Sequence, residues 1–193
     1  MCPGGFVIPA ASSEGMQVVN GMSNSARNNR YSNSALVVTV SEKDYGKTVF
    51  GGIHFQEETE RRAFSAFSAP AQNAEDYIRN IKTNKIKNNS YCLDTVSKDL
   101  NPLLPVHLNN ALKAGLNVFE KRVRGFCKEG LLLAAETRTS CPVRIVRDKY
   151  YRNSLSVKNL YPVGEGSGYA GGIVSSAADG IKTAMQFYID SSL

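Results

Sequence analysis

Two stretches of the chain repeat apolar residues at helical spacing over several turns. In residues 106–124, Leu108, Leu112, Leu116, Phe119 and Val123 recur at steps of four, four, three and four, which lines up one helix face. Pro105 suits the first helical position, Lys121, Arg122 and Arg124 suit the negative end of the helix dipole, and Gly125 ends the helix. His107 then reads as a surface residue of that helix. From Ile173 onward, Ile173, Val174, Ala177, Ala178, Ile181, Ala184, Met185 and Tyr188 follow the same rule and predict one buried face. A third helix is expected over residues 55–67, after Gly51-Gly52, with Glu57 and Glu58 in its first turn and Ala63, Phe64 and Phe67 inward. Residues 74–81 allow two further turns, with Tyr77, Ile78 and Ile81 inward.

Shorter apolar runs read as strands. Residues 6–10 and 16–19 flank the turn-rich Ala11-Ser12-Ser13-Glu14-Gly15, which predicts a hairpin. Residues 35–40 are almost continuously apolar, as in a strand buried on both faces. Residues 131–135 and the alternating residues 142–146 supply two more, and residues 155–163 one short strand near the end. The segment from Pro70 is less regular. These elements predict an α+β fold of mixed α/β character. It comprises a body over residues 1–150, with hairpin, mixed sheet and longer helices, and a terminal strand-helix unit over residues 151–193. The join falls near residues 148–153.

Composition adds limits. The 193 residues suit one large domain, and 42% are hydrophobic, enough for a core. The net charge of +6 is compatible with anionic ligands and does not demand nucleic acid. Lysines in residues 82–90 have no aromatic residues between them and read as a solvated loop. Cys2, Cys92, Cys127 and Cys141 lie far apart, and only His54 and His107 accompany them, so no metal site is expected. With no signal peptide and no apolar run of about 20 residues, a cytoplasmic protein with reduced thiols and no membrane contact is expected. The chain opens at once on turn chemistry, Cys2-Pro3-Gly4-Gly5, followed by a strand. That is how a start inside a fold looks, so a fragment of a longer protein is expected.

The chemistry concentrates in Gly164-Glu165-Gly166-Ser167-Gly168-Tyr169-Ala170-Gly171-Gly172, directly before the helix that opens at Ile173. Small residues let a ligand approach the backbone, and a helix start favours negative charge. Gly166-x-Gly168-x-x-Gly171 matches the dinucleotide fingerprint in form. The true fingerprint opens a strand-helix-strand unit with an acidic residue about 20 positions on; here no second strand follows. A ligand site and a plain tight connection carry equal weight on spacing alone. The polar residues 20–34 read as a surface loop or, alternatively, as a ligand loop that uses amide and guanidinium groups.

Cys2-Pro3-Gly4-Gly5, then Asn20-Gly21-Met22-Ser23-Asn24-Ser25-Ala26-Arg27, then Glu136-Thr137-Arg138-Thr139-Ser140-Cys141-Pro142-Val143-Arg144, then Tyr161 through the glycine turn to Ile173 occur in this order. The combination resembles the C-terminal part of the bacterial NAD(FAD)-utilising dehydrogenase family, a group of FAD-dependent flavoproteins. The resemblance implies that residues 1–150 are a substrate (cap) region. Residues 151–193 would be the returning strand, turn and helix of a Rossmann-like FAD domain whose main half lies upstream and acts as partner. It implies FAD as cofactor, with NAD(P)H a candidate electron donor for a small-molecule substrate. Gly164, Glu165, Gly166, Gly168, Tyr169, Gly171, Gly172 and Ile173 would line the flavin, Glu165 standing where relatives have Asp. Arg27, Arg138 and Cys141 are candidates near the reacting ring. Arg138 either grips a carboxylate or braces its turn. Cys141 is either a thiol near the flavin or a packing residue. A sheet edge left open by truncation would favour a homodimer. The competing readings are a stand-alone anion- or nucleotide-binding module without redox activity and, last, a basic nucleic-acid binder.

Overall fold

Alanine, proline and glutamine make the central strand of the main sheet in the computed structural model, which describes residues 2–11 and 13–191. The architecture is α+β, as expected. The chain divides into two compact units, Met1–Asp44 with Phe55–Thr137, and Tyr45–His54 with Arg138–Leu193.

In the first unit, β1 (Phe6–Pro9) pairs antiparallel with β2 (Val19–Met22), the predicted hairpin with its return strand set three residues later. Ser12 of the expected turn lies outside the described residues. The short α1 (Glu42–Tyr45) and α2 (Gly51–Ala63) follow, with the stretch Tyr45–His54 between and within them assigned to the second unit. Next come β3 (Ala69–Asn73), α3 (Ala74–Arg79) and β4 (Thr95–Ser97). The chain continues with α4 (Val106–Arg122), α5 (Phe126–Glu129) and β5 (Leu131–Leu133). β3 lies between β4, which is parallel to it, and β5, which is antiparallel. Pro70 argues against a central strand because it has no N–H to donate. It is tolerated because its carbonyl still accepts the Ala134 N–H at 3.1 Å. Gln72 is fully buried and satisfied at both ends: its amide donates to Ile81 O at 2.8 Å and accepts from Leu100 N–H at 2.9 Å.

One hydrophobic cluster joins Ala63, Ala74, Tyr77, Leu100, Leu103, Leu116, Cys127 and Ala135; a smaller one joins Val19, Ala69 and Tyr91. Leu116, 1% exposed, is the deepest aliphatic side chain of α4, and Tyr77 Oη donates to Asn109 Oδ1 at 2.7 Å. Leu108 and Leu112 also face inward, but Phe119 and Val123 are exposed, since the last turn of α4 passes beyond the core. Pro105 takes the N-cap of α4, one place earlier than expected. α2 begins at Gly51 and ends at Ala63, and Ala66 has a positive φ of 55°. That early stop leaves Phe64 exposed and Phe67 87% exposed, contrary to the inward positions expected of them. Glu57 and Glu58 pair with Arg61 and Arg62 along the helix surface. Tyr77 is buried as predicted, but Ile81 is exposed past the left-handed Asn80 that ends α3.

Three predicted strands do not form. Residues 35–40 carry no strand, and Val37 and Val40 are exposed. Residues 142–146 and 155–163 are also irregular, and an isolated bridge joins Arg147 and Ser154 between them. A run of β-branched residues makes a strand only where a neighbour offers a ladder; in the second unit the polar partners come from the glycine turn and from side chains instead.

The second unit ends in α6 (Ile173–Ser191). The helix is where the apolar period put it, but its faces are reversed. Ile173 is 90% exposed, Val174 82% and Tyr188 74%, and Ile181 and Met185 also face out. The inward stripe is Ser176, Asp179, Gly180 and Thr183, with Thr183 4% exposed. This overturns the predicted buried apolar face within the described residues. No helix among the described residues is long and apolar enough to cross a membrane.

Candidate functional site: the glycine turn of the second unit

Local sequence explains the shape of residues 164–172. Gly164 and Gly168 have φ of +70° and +78°, where a side chain would be strained. A Cβ at Gly168 would overlap the Val143 carbonyl. Two backbone hydrogen bonds close the turn: Gly168 N–H to Glu165 O at 2.8 Å and Tyr169 N–H to Gly164 O at 3.0 Å. Ser167 Oγ donates to Val163 O at 2.8 Å.

The segment before it wraps the turn. Ile145 N–H donates to Ser167 O at 3.1 Å, Arg144 Nε donates to Gly168 O at 3.0 Å and the Cys141 thiol donates to Gly166 O at 3.3 Å. Two motifs read separately in the sequence are thus one surface in the fold. Arg147 backs the turn from beneath. Its Nη1 donates to Pro162 O at 2.6 Å, its backbone N–H donates to Tyr169 Oη at 3.2 Å, and its guanidinium lies 3.7 Å from the Tyr169 ring centre.

Asp179, on the inward stripe of α6, ties these pieces together. Its carboxylate accepts from Arg147 Nη1 at 2.9 Å and Nη2 at 2.7 Å, from Arg152 Nη1 at 2.9 Å, and from Gly164 N–H at 3.0 Å. The bidentate Arg147 guanidinium, helped by Gly164 and Arg152, holds the Asp179 carboxyl well below the usual carboxylate range and outweighs burial, which pushes the other way. Asp179 in turn raises Arg147.

The outer side of the turn is open. A Cβ built at Gly166 or Gly171 would meet nothing within 4 Å, so the backbone there is approachable. Gly172 O starts α6 by accepting Ser176 N–H at 2.8 Å and Ser175 Oγ at 3.0 Å. Ser176 Oγ is buried with no hydrogen-bond partner and lies close to Gly164. Open glycines, an unsatisfied buried hydroxyl and the start of a long helix fit a cofactor with a polar, anionic edge. Among the described residues no group of three or more His, Cys, Asp or Glu is arranged to hold a metal.

The structure brings Cys141 to the turn together with the predicted glycines and Tyr169. Arg138 is exposed at the start of the second unit's main segment. Arg27 belongs to the first unit, where it has φ of +47° and donates its N–H to Asn24 O at 3.2 Å and Oδ1 at 3.1 Å. There its backbone packs against Gly4 of the Cys2-Pro3-Gly4-Gly5 motif, where a Cβ would overlap the Arg27 carbonyl, while Cys2 and Asn33 exchange backbone hydrogen bonds and Asn29 N–H donates to Gly4 O at 3.3 Å. Sequence reasoning missed Arg144, Arg147, Arg152 and Asp179. The signal was present: Ser176, Asp179 and Thr183 recur at helical spacing opposite the apolar stripe, with three arginines upstream.

Residues 1–139 match the family described as FAD-dependent protein, C-terminal domain-like. The chain belongs to that family. The matched span covers the first unit and the Tyr45–His54 stretch of the second, and stops at the start of the second unit's main segment. Over 192 residues the chain is 43% identical to an uncharacterized protein of Clostridium beijerinckii, a match that covers 95% of this chain and 36% of that protein. The chain therefore spans little more than a third of the length of that relative.

Proposed function

We propose that this chain is the C-terminal region of an FAD-dependent oxidoreductase of the dehydrogenase type, in which the second unit supplies the flavin-side turn and helix. The first unit would bear the substrate, with Arg27 at its Cys2 loop. The observation that carries this reading is the clamped glycine turn, open at Gly166 and Gly171, leading directly into the 19-residue α6. The family of the first unit supports FAD as the ligand. The outward apolar stripe of α6 supports a covering body, namely the FAD-binding half that a longer polypeptide would provide.

When bound, FAD supplies the hydride-transfer chemistry, and NAD(P)H is the proposed donor of electrons. The chain's own part is to bind and orient. Gly164, Glu165, Gly166, Gly168, Tyr169, Gly171, Gly172 and Ile173 would hold the cofactor edge through backbone and the positive end of α6. A helix end of this kind contributes about 0.3–1 kcal/mol, and about 2 kcal/mol when partly buried, so it tunes the cofactor and does not by itself drive the reaction. Cys141 would sit beside the turn, held by its contact with Gly166 O. Free thiols at Cys2, Cys92, Cys127 and Cys141 suit a cytoplasmic setting.

The alternative, a stand-alone anion-binding module, leaves the outward stripe of α6 without purpose. The test is a visible flavin spectrum. The protein at full natural length is expected to be yellow or to acquire bound-flavin absorbance with FAD, and this chain alone to bind weakly. A full-length protein that stays colourless and ignores added FAD overturns the reading.

A further inference from the structure

The carboxylate of Asp179 accepts two hydrogen bonds on each oxygen. Oδ1 takes Arg147 Nη2 and Arg152 Nη1; Oδ2 takes Arg147 Nη1 and the Gly164 N–H. A carboxylate offers about four acceptor sites, so none remains for a ligand. Asp179 acts only through what it holds. Of its four donors, three are guanidinium N–H groups and one is a backbone amide, the first of the glycine turn. Arg147 reaches the same turn at both ends, through Pro162 O before it and Tyr169 after it. The group is largely buried, with Arg147 and Asp179 side chains 8% and 13% exposed. A buried ion pair is replaceable by packed apolar groups at little cost to stability. What such groups cannot reproduce is a fixed direction for the Gly164 N–H and a fixed distance between the two ends of the turn.

We propose that Asp179, braced by Arg147 and Arg152, is the positioning residue of the cofactor turn: it sets the path of residues 164–169 and hence the direction in which the turn and the start of α6 face the ligand. The clamp itself follows from the hydrogen bonds; its effect on a flavin rests on the function proposed above. Asp179 does not touch the cofactor.

The experiment uses the full-length protein and FAD. Asp179→Asn keeps the shape and one acceptor oxygen but loses the charge. It is expected to weaken FAD binding about 10-fold, and Asp179→Ala about 100-fold, as charge-assisted hydrogen bonds are lost. Arg152→Gln, which removes one of the four bonds, is expected to weaken binding a few-fold and is the variant least prone to misfold. In each, the flavin midpoint potential and visible band shift in proportion, a response that loss of fold stability alone would not produce. Wild-type affinity and potential in Asp179→Asn and Arg152→Gln overturn the proposal. Should the wild type bind no FAD, hydrogen exchange of the Gly164 amide decides: exchange much faster in Asp179→Asn than in wild type upholds the clamp without the flavin, and equal exchange sinks it.

Discussion

The two units are held together by opposite means. The first is built conventionally, with aliphatic and aromatic residues such as Leu116, Leu103 and Tyr77 inside and the ion pairs of α2 outside. In the second, the buried positions around the pair of Asp179 and Arg147 include Ser154, Ser167 and Thr183 with Pro162 and the turn glycine Gly164. Its large apolar residues, among them Tyr150, Leu155, Ile173 and Tyr188, face outward. Burial of apolar area, at roughly 25 cal/mol per Å2, stabilises the first unit and is nearly indifferent to shape. Hydrogen bonds to charged groups stabilise the second, and they are directional. The contrast teaches that the second unit specifies one backbone path through polar contacts and keeps many of its large apolar residues on its surface.

The largest effect is expected where that polar centre is broken. Arg147→Met leaves a buried carboxylate short of two donors and should cost about 3–5 kcal/mol, with amide exchange accelerating across residues 163–169 and α6 while the sheet of the first unit stays protected. Equal loosening of both units would erase the contrast. Leu116→Ala is the counterpart: it should cost about 2–5 kcal/mol by opening a cavity, measured by denaturant unfolding, with the glycine turn unaltered in exchange. Acid gives the smallest effect over the ordinary range. The folded Asp179 carboxyl lies below its unfolded value of about 3.9. Its contribution is therefore complete above that value and is lost as pH falls through the lower folded value. Exchange at residues 163–169 should be unchanged, after correction for intrinsic rates, from neutral pH to about pH 5, and should rise only in stronger acid. Loosening already at pH 6 would mean that some other group holds the turn.

Much of the first unit was legible because its pattern is ordinary. The period of Leu108, Leu112 and Leu116 fixes α4, and the strand of Leu131 to Leu133 stands where the apolar run puts it. β3 was not legible, because Ala69, Pro70 and Ala71 lack strand propensity and owe their place to close packing between two neighbours. In the second unit the rule that apolar residues mark the inside misleads. It finds α6 and inverts it, because hydrogen bonds to Asp179, and not apolar area, select the face that turns inward. The glycine turn was legible from its spacing. Its clamp was not, since no local pattern says that Asp179 will meet Arg147 across 32 positions.

The outward stripe of α6 also has a practical consequence for handling the molecule. A helix that presents Ile173, Val174, Ile181 and Met185 to water is adhesive, and in isolation its simplest relief is another copy of itself. Under the function proposed above, clumping or pairing of an isolated preparation would report a missing cover. Polar replacements along that stripe would improve solubility and, by the same stroke, abolish the docking proposed for it.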